Sequence, residues 1–463
     1  MASFQRVLPL TIAAALFLEQ MDSTIIATSL PAIARDLGTS PISLKLAFTT
    51  YLLGLTVFLP ISGWMADRFG AKLVFSLAIG VFTMASVSCG FAHDLPWLVV
   101  ARGVQGMGAA MMVPVGRIIL LRTVKKSELL DAIAWLTIPA LVGPVIAPPI
   151  GGYITTVYDW RWIFWMNLPF GVGALCLALW LLPNFKADVP PPLDVKGFFL
   201  SGLGLGLSVL GMTVAGRGLL SGETVTAMTV AGVLFLVAYW RHAMATAHPI
   251  LDLRLMRHES FRHSVIGGNI YRVTVGATPF LMPLMLQIGF GFSAFQSGLI
   301  TFGSAIGAVL MKFTASPLVR RFGYRQLLLV NGAMSCVLFA SKASFTPTMP
   351  VVLMFGTLLI SGFVRSLQFS ALNTLAYADI DTVDMARANA LYSVLQQLFL
   401  AIGVASAAYL LELRLLWADR VELTAGDFSF ALIVLSVFSS LALFSYAKLG
   451  AGAGATISGR HDD

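Results

Sequence analysis

The residues of this sequence that could do chemistry are charged side chains set inside long apolar runs: Glu19 and Asp22 near the N-terminus, then Arg102, Arg117, Arg272, Lys312 and Arg365. A charge at mid-bilayer costs at least about 2.5–3.5 kcal/mol, so such residues normally face an aqueous path or a partner. A carboxylate in that setting can take up and return a proton. A guanidinium can hold the carboxylate ionised, or grip an anionic solute as a two-pronged fork. At a rise of about 1.5 Å per residue, Asp22 lies ~13 Å before Pro31 and Arg102 ~9 Å after Pro96, at similar depths from one face. The two are expected to pair, and a conformational change that makes and breaks the pair would convert proton binding into motion.

The elements that must position these charges are membrane helices. Hydrophobic residues form 57% of the chain, charged residues 11%, and the mean hydropathy is +0.85, far from the composition of a soluble domain. Apolar runs between polar breaks give fourteen candidate spans, near 7–30, 45–66, 73–92, 96–121, 130–157, 162–183, 197–215, 225–241, 264–288, 295–315, 326–345, 350–377, 388–411 and 428–447. The run after Arg6 is read as a retained first span and not a cleaved leader, because no small-residue cleavage site follows it. The seventh and eighth spans lie between the linkers Pro190–Pro192 and Arg241–His263, and read as an insert between two six-helix halves. Loops on the side of Gly63–Lys72 hold roughly 18 Lys and Arg against about 7 opposite, which places that side, and both termini, in the cytoplasm.

Other chemistries find no support. Cys89, Cys176 and Cys336 stand alone, and His242, His248, His258 and His263 share one polar linker, so no disulfide or metal site is expected. The net charge of +8 is spread over short loops and indicates no nucleic-acid partner. There is no Gly-x-x-x-x-Gly-Lys-Ser/Thr motif for an ATP-driven pump, no nucleophile and base set for an enzyme, and no repeated filter loop for a channel.

One short charged turn occurs twice. Gly63-Trp-Met-Ala-Asp-Arg-Phe-Gly-Ala-Lys72 returns in degenerate form as Ser316-Pro-Leu-Val-Arg-Arg-Phe-Gly-Tyr-Arg325, with Arg320 where the first copy has Asp67. Such internal repeats build secondary transporters, with the solute site between the halves. Gly70 supplies the backbone freedom of the turn, Asp67 can face a helix N-terminus, and Arg68 and Lys72 can meet an anionic leaflet. Further motifs are Met21-Asp22-Ser23-Thr24, Arg102-Gly-Val-Gln105-Gly106, Gly143-Pro144-Val-Ile-Ala147-Pro148-Pro149-Ile-Gly151-Gly152, and Trp160-Arg161-Trp162 with Asn167-Leu168-Pro169.

On these motifs the chain resembles the major facilitator superfamily, in particular its fourteen-span drug:proton antiporter branch. Through Met112–Arg117 it is similar to an enterobacterial-type group of multidrug and citrate exporters. The resemblance implies an all-α membrane protein with the major facilitator fold, two pseudo-symmetric six-helix bundles plus two extra helices. The corresponding boundaries are 1–189 and 263–449 for the bundles, 190–262 for the insert and its linkers, and 450–463 for a flexible cytoplasmic tail. It also implies that the first, fourth, ninth and twelfth spans line a central cavity. All the buried charges except Lys312 fall on those spans, and Lys312 sits close enough to a helix end to snorkel.

Two readings stay open at each motif. The Gly63–Lys72 turn is either a latch between the halves or a solvated loop. The Gly143, Pro144, Pro148, Gly151 and Gly152 run is either a bending element or a packing face, with Ala147 replacing a usual glycine. Arg117, Arg272 and Arg365, with Asn269, Tyr271, Gln368, Asn373 and Gln105 near them, either bind solute or cap carbonyls.

The expectation is a proton-coupled antiporter, driven by the proton gradient with no cofactor. It would work as a monomer in the bacterial cytoplasmic membrane and export small organic molecules, with citrate-like anions suggested by the excess of arginines over Glu19 and Asp22. The alternatives are an exporter of lipophilic cations and a non-transporting receptor on the same scaffold.

Overall fold

The computed structural model describes residues 2–124, 129–188, 192–215, 221–312, 314–381, 384–450 and 452–454. Among these residues the protein is entirely helical. In the first half, α1 (Ala2–Ile25) continues through a tight 3-10 turn, Ile26–Ser29, into α2 (Leu30–Asp36). It is followed by α3 (Lys45–Phe58), α4 (Ser62–Phe69), α5 (Ala71–Gly90), α6 (Leu95–Thr123), α7 (Leu129–Val157), α8 (Trp162–Trp165) and α9 (Asn167–Leu181). The hairpin α10 (Val195–Val214) and α11 (Gly222–Ala245) comes next. The second half holds α12 (Glu259–Leu284), α13 (Ala294–Met311), α14 (Ala315–Ser341), α15 (Val351–Leu375), α16 (Met385–Trp417), α17 (Ala425–Ser440) and α18 (Ala442–Ala447).

Twelve helical segments among the described residues are long and apolar enough to cross a membrane. A helix such as the 20-residue α5 spans about 30 Å, the thickness of a bilayer core. Bulky apolar side chains such as Met84, Trp180, Val352 and Phe444 point outward, as a lipid-facing surface requires. The 29-residue α7 and the 26-residue α12 are not among the twelve, and α12 carries Glu259, Arg262, His263, Asn269 and Arg272 along its length.

Small residues set the closest helix approaches. On α6, Gly106 lies against the Tyr51 backbone of α3, and Gly108 against the Ala78 and Phe82 backbone of α5, where any Cβ would collide. α7 stays helical through Pro139, Pro144, Pro148 and Pro149. A Cβ on Gly143 would come 3.0 Å from the Phe17 carbonyl of α1, and one on Gly151 would come 2.8 Å from the Ile25 carbonyl. Gly152 faces Ala294, and Gly298 of α13 faces the Pro148 carbonyl, so α7 is wedged between the first helix and the second half. Ala147, between these glycines on α7, is fully buried in the core.

The first charged turn is built around Gly70, whose φ of 104° is left-handed and suits glycine. Asn184 packs into the space a side chain there would fill, and its Oδ1 accepts from the Lys72 backbone N–H at 3.3 Å. Asp67 accepts from Arg122 at 3.1 Å, and its carbonyl accepts from the Ala187 N–H at 3.0 Å, while Arg68 is exposed. These contacts stay within the first half. The second turn repeats the left-handed glycine at Gly323, φ 72°. The Arg320 side chain, the Pro190 and Pro191 positions and the tail beyond residue 454 lie outside the described residues.

Candidate functional site

A buried polar cluster joins α1, α3, α6 and the α8–α9 segment. Asp22 and Arg102 are both wholly buried, and Arg102 Nη1 meets Asp22 Oδ2 at 2.5 Å. The other carboxylate oxygen, Oδ1, accepts from Asn167 Nδ2 at 2.8 Å, and the same amide nitrogen donates to Ser86 Oγ at 2.9 Å. Gln105 Oε1 accepts from Arg102 Nη1 at 2.7 Å, one helical turn along α6. The guanidinium lies 4.3 Å from the centre of the Tyr51 ring and 5.9 Å from that of Phe164, so aromatic faces take the place of water around the cation. Glu19, three residues before Asp22 and also buried, accepts from Gln20 Nε2 at 2.6 Å. Two carboxylates and one guanidinium thus occupy one enclosed space, an arrangement that can hold or release a proton only with a change in pairing.

The second half has a cluster of different chemistry. Arg272 on α12 is buried, yet among the described residues its hydrogen bonds go to neutral oxygens: Tyr392 OH at 2.6 Å, Asn269 Oδ1 at 3.1 Å and Asn373 Oδ1 at 3.3 Å. The Tyr392 and Phe369 rings flank it at 4.7 and 5.5 Å. Arg272, Asn269 and Asn373 therefore come together as the sequence suggests. Tyr271 donates to Ser335 Oγ at 3.4 Å, with Arg365 in electrostatic reach. Gln368 is fully buried among α14 and α15, where it accepts from Asn331 Nδ2 at 2.8 Å and donates to the Leu328 carbonyl at 3.3 Å. Arg117 is exposed, and Lys312, at the end of α13, donates to Ser370 Oγ at 3.2 Å.

Two features of these sites escape the sequence reading. Asn167 stands in a recognised motif but is not singled out as a partner for Asp22, because its contact needs α8 and α9 folded back over α1. The other is an ion pair between halves. Lys45 Nζ, at the start of α3, lies 2.9 Å from both carboxylate oxygens of Glu412 on α16, with the two side chains 1% and 3% exposed. Each residue alone looks like the solvated end of a span; only the coincidence of opposite charges at the same end of two spans signals the pair.

The halves meet at this same end through other contacts. Gln287 Nε2, in the π turn after α12, donates to the Thr28 carbonyl at 2.9 Å, and the Phe295 N–H donates to Thr156 Oγ1 at 3.2 Å. Phe48 and Phe280 rings pack edge to face, 6.4 Å between centres.

Comparison with known proteins places this architecture. Residues 12–404 match the family model described as Major Facilitator Superfamily. A protein of Yersinia enterocolitica that carries the name multidrug resistance protein MdtD is 36% identical over 402 residues, 85% of this chain and 84% of its own. One of the same name from Serratia proteamaculans is 35% identical over 402 residues, 85% of this chain and 83% of its own. Among solved structures, a D-xylose–proton symporter superposes with a TM-score of 0.68 at 15% identity, over 97% of this chain and 98% of that one, which shows a shared fold.

Proposed function

Because this chain belongs to the Major Facilitator Superfamily, and is a multi-pass membrane transporter and not an enzyme, we infer that it exports varied lipophilic, drug-like molecules from the cytoplasm in exchange for protons. The name carried by its relatives supports the solute class. The observation that carries the coupling is the enclosed Asp22–Arg102 pair. A proton taken up by Asp22 cancels the charge that Arg102 binds and leaves the guanidinium to Gln105 and the aromatic faces. The two conformations of the transporter then differ in their affinity for the proton, as coupling requires. Glu19, one turn away, is a second proton carrier or the point that attracts a cationic solute.

We count α7 and α12 as spans, which makes fourteen, arranged as the bundles 1–189 and 263–449 around the insert 190–262. The Gly70 side and both termini face the cytoplasm, the membrane is the bacterial inner membrane, the working unit is a monomer, and the proton gradient is the energy source with no cofactor. Arg117 and the Arg272 cluster, with Arg365, Asn269, Asn373 and Tyr271, contribute to the solute path. The Gly63–Lys72 turn and the Gly143–Gly152 face act in the conformational change.

The test is proton release from proteoliposomes holding the purified protein, on addition of ethidium and other lipophilic cations. Solute-dependent proton movement that Asp22→Asn abolishes is the expected result; proton movement equal to wild type in Asp22→Asn removes Asp22 from the mechanism. No proton movement with a broad solute panel would favour a receptor. Citrate-like anions are the second reading, favoured by the hydrogen bonding of Arg272 to neutral oxygens among the described residues. Labelled citrate and labelled ethidium, compared in Arg117→Ala, Arg272→Ala and Arg365→Ala vesicles, separate the two.

A further inference from the structure

The Lys45–Glu412 pair has a third member. Lys45 Nζ also lies 3.3 Å from the carbonyl oxygen of Ala215, the residue that ends α10 of the inserted hairpin. A lysine ammonium has three donors. Here one faces each Glu412 oxygen and one faces the insert, so a single buried cation connects the first half, the second half and the hairpin. The hairpin is well placed for this, since α10 packs along both α3 and α16. Its end is fixed by the Ala215 N–H on the Gly211 carbonyl at 3.1 Å and by the close approach of Gly211 to Thr229 of α11.

Directly beyond the pair is a cavity of about 750 Å³ lined by both halves, including Ile42, in the turn three residues before Lys45, and Leu415, three residues beyond Glu412 on α16. Ile42 is 1% and Leu415 3% exposed, so the cavity is floored by the layer that holds the ion pair. A solute moving between the halves to this end must part α3 from α16. That separation breaks a buried pair, and a single partner left buried without its counter-charge is strongly disfavoured.

We propose that Lys45, Glu412 and the Ala215 carbonyl form a three-part gate at the end opposite the Gly70 turn, in which the inserted hairpin holds the Lys45 ammonium on Glu412 and so favours the closed state. The inference depends on the transporter family and not on which solute is carried. It gives the extra helices a role that two bundles alone would lack.

The experiment reads the gate through a cysteine at Leu415, in the full-length protein with Cys89, Cys176 and Cys336 changed to serine. A membrane-impermeant maleimide is applied to the face on which Leu415 lies. Labelling should be slow with the wild-type pair and rise at least about fivefold in Lys45→Ala and in Glu412→Ala. It should fall at least about twofold below the alanine-variant rates in the charge swap Lys45→Glu/Glu412→Lys, which restores the pair but sets a carboxylate against the Ala215 carbonyl and so recovers only in part, a recovery that misfolded single variants could not give. Gly211→Val, whose side chain would collide with Thr229 and displace the end of α10, should raise labelling with both charges intact. Unchanged labelling in the two alanine variants, or no recovery in the swap, overturns the gate. Unchanged labelling in Gly211→Val overturns the part given to the hairpin.

Discussion

Replacing Asp22 by asparagine keeps the shape of the first-half cluster and removes one charge. In the native arrangement Arg102 sits with Asp22 at 2.5 Å and has no exposure to water. Two unit charges about 4 Å apart, at the effective dielectric of about 20 that suits protein sites, attract by about 4 kcal/mol. Removing one partner of a buried pair costs about 3–5 kcal/mol, because the remaining charge stays desolvated. Both routes give a similar figure, and 1.4 kcal/mol is a factor of ten, so the conformation that buries Arg102 should lose roughly two to three orders of magnitude against one that hydrates it. Asparagine retains a carbonyl for one hydrogen bond, which puts the expected loss at the lower end. Thermal unfolding of the purified protein, with a double-mutant cycle to Arg102→Gln, measures the coupling. Proton-driven efflux in proteoliposomes measures the consequence. A coupling energy below about 0.5 kcal/mol, together with efflux at the wild-type rate, would refute the argument that this pair stores the coupling energy.

Other perturbations separate packing from charge. Gly151→Val should destabilise by about 1–3 kcal/mol in thermal unfolding, because its Cβ would come 2.8 Å from the Ile25 carbonyl. Gly63→Ala should instead be neutral or stabilising by about 0.5–1 kcal/mol, since Gly63 lies in α4 with open space beside it. Removing the partly exposed Asp67–Arg122 pair with Arg122→Ala should change stability by no more than about 1 kcal/mol, so any larger loss of transport would report a conformational role for the turn. Asp194 caps α10 through the Gly197 N–H at 2.8 Å and binds His242 Nε2 at 2.7 Å and the Ile250 N–H at 3.2 Å. Burial pushes its carboxyl up, but those hydrogen bonds outweigh burial and hold it below the usual carboxylate range. Its contribution is therefore complete above about pH 4 and fades as pH falls through the lower folded value, so the Tm gap between wild type and Asp194→Asn should narrow only at acid pH.

The helices were legible because a bilayer leaves little choice: apolar runs about 20 residues long between polar breaks must be helical. Their ends were less so. The first apolar run was expected to stop at residue 30, but a 3-10 turn lets the chain continue to Asp36, and α16 runs to Trp417 where 411 was expected. That short extension is what brings Glu412 inside the packed region and onto Lys45. Asp22 and Arg102 were predictable because both could be measured from the same outer end, and the short 3-10 turn between Asp22 and Pro31 changes that depth little. Gln368 shows the limit of sequence proximity. It lies five residues from Asn373 on α15, which at 3.6 residues per turn is ~140° around the helix, so Asn373 meets Arg272 while Gln368 turns to Asn331.

The two arginine clusters are built on the same plan with one substitution of chemistry. Arg102 and Arg272 are both buried, both flanked by two aromatic rings and both bonded to an amide oxygen one helical turn away, Gln105 and Asn269 respectively. Among the described residues Arg102 is bonded to a carboxylate, whereas the Tyr392 hydroxyl and the Asn373 amide take that place at Arg272. A charge balanced by a titratable acid can be switched by a proton, whereas one balanced by neutral dipoles keeps its charge whatever the pH. The first half therefore holds a cation whose partner is an acid, and the second a cation whose partners are neutral. Movement of the halves against each other, about the contacts gathered at Lys45 and Glu412, is what would let a protonation event in one be felt by a solute near the other.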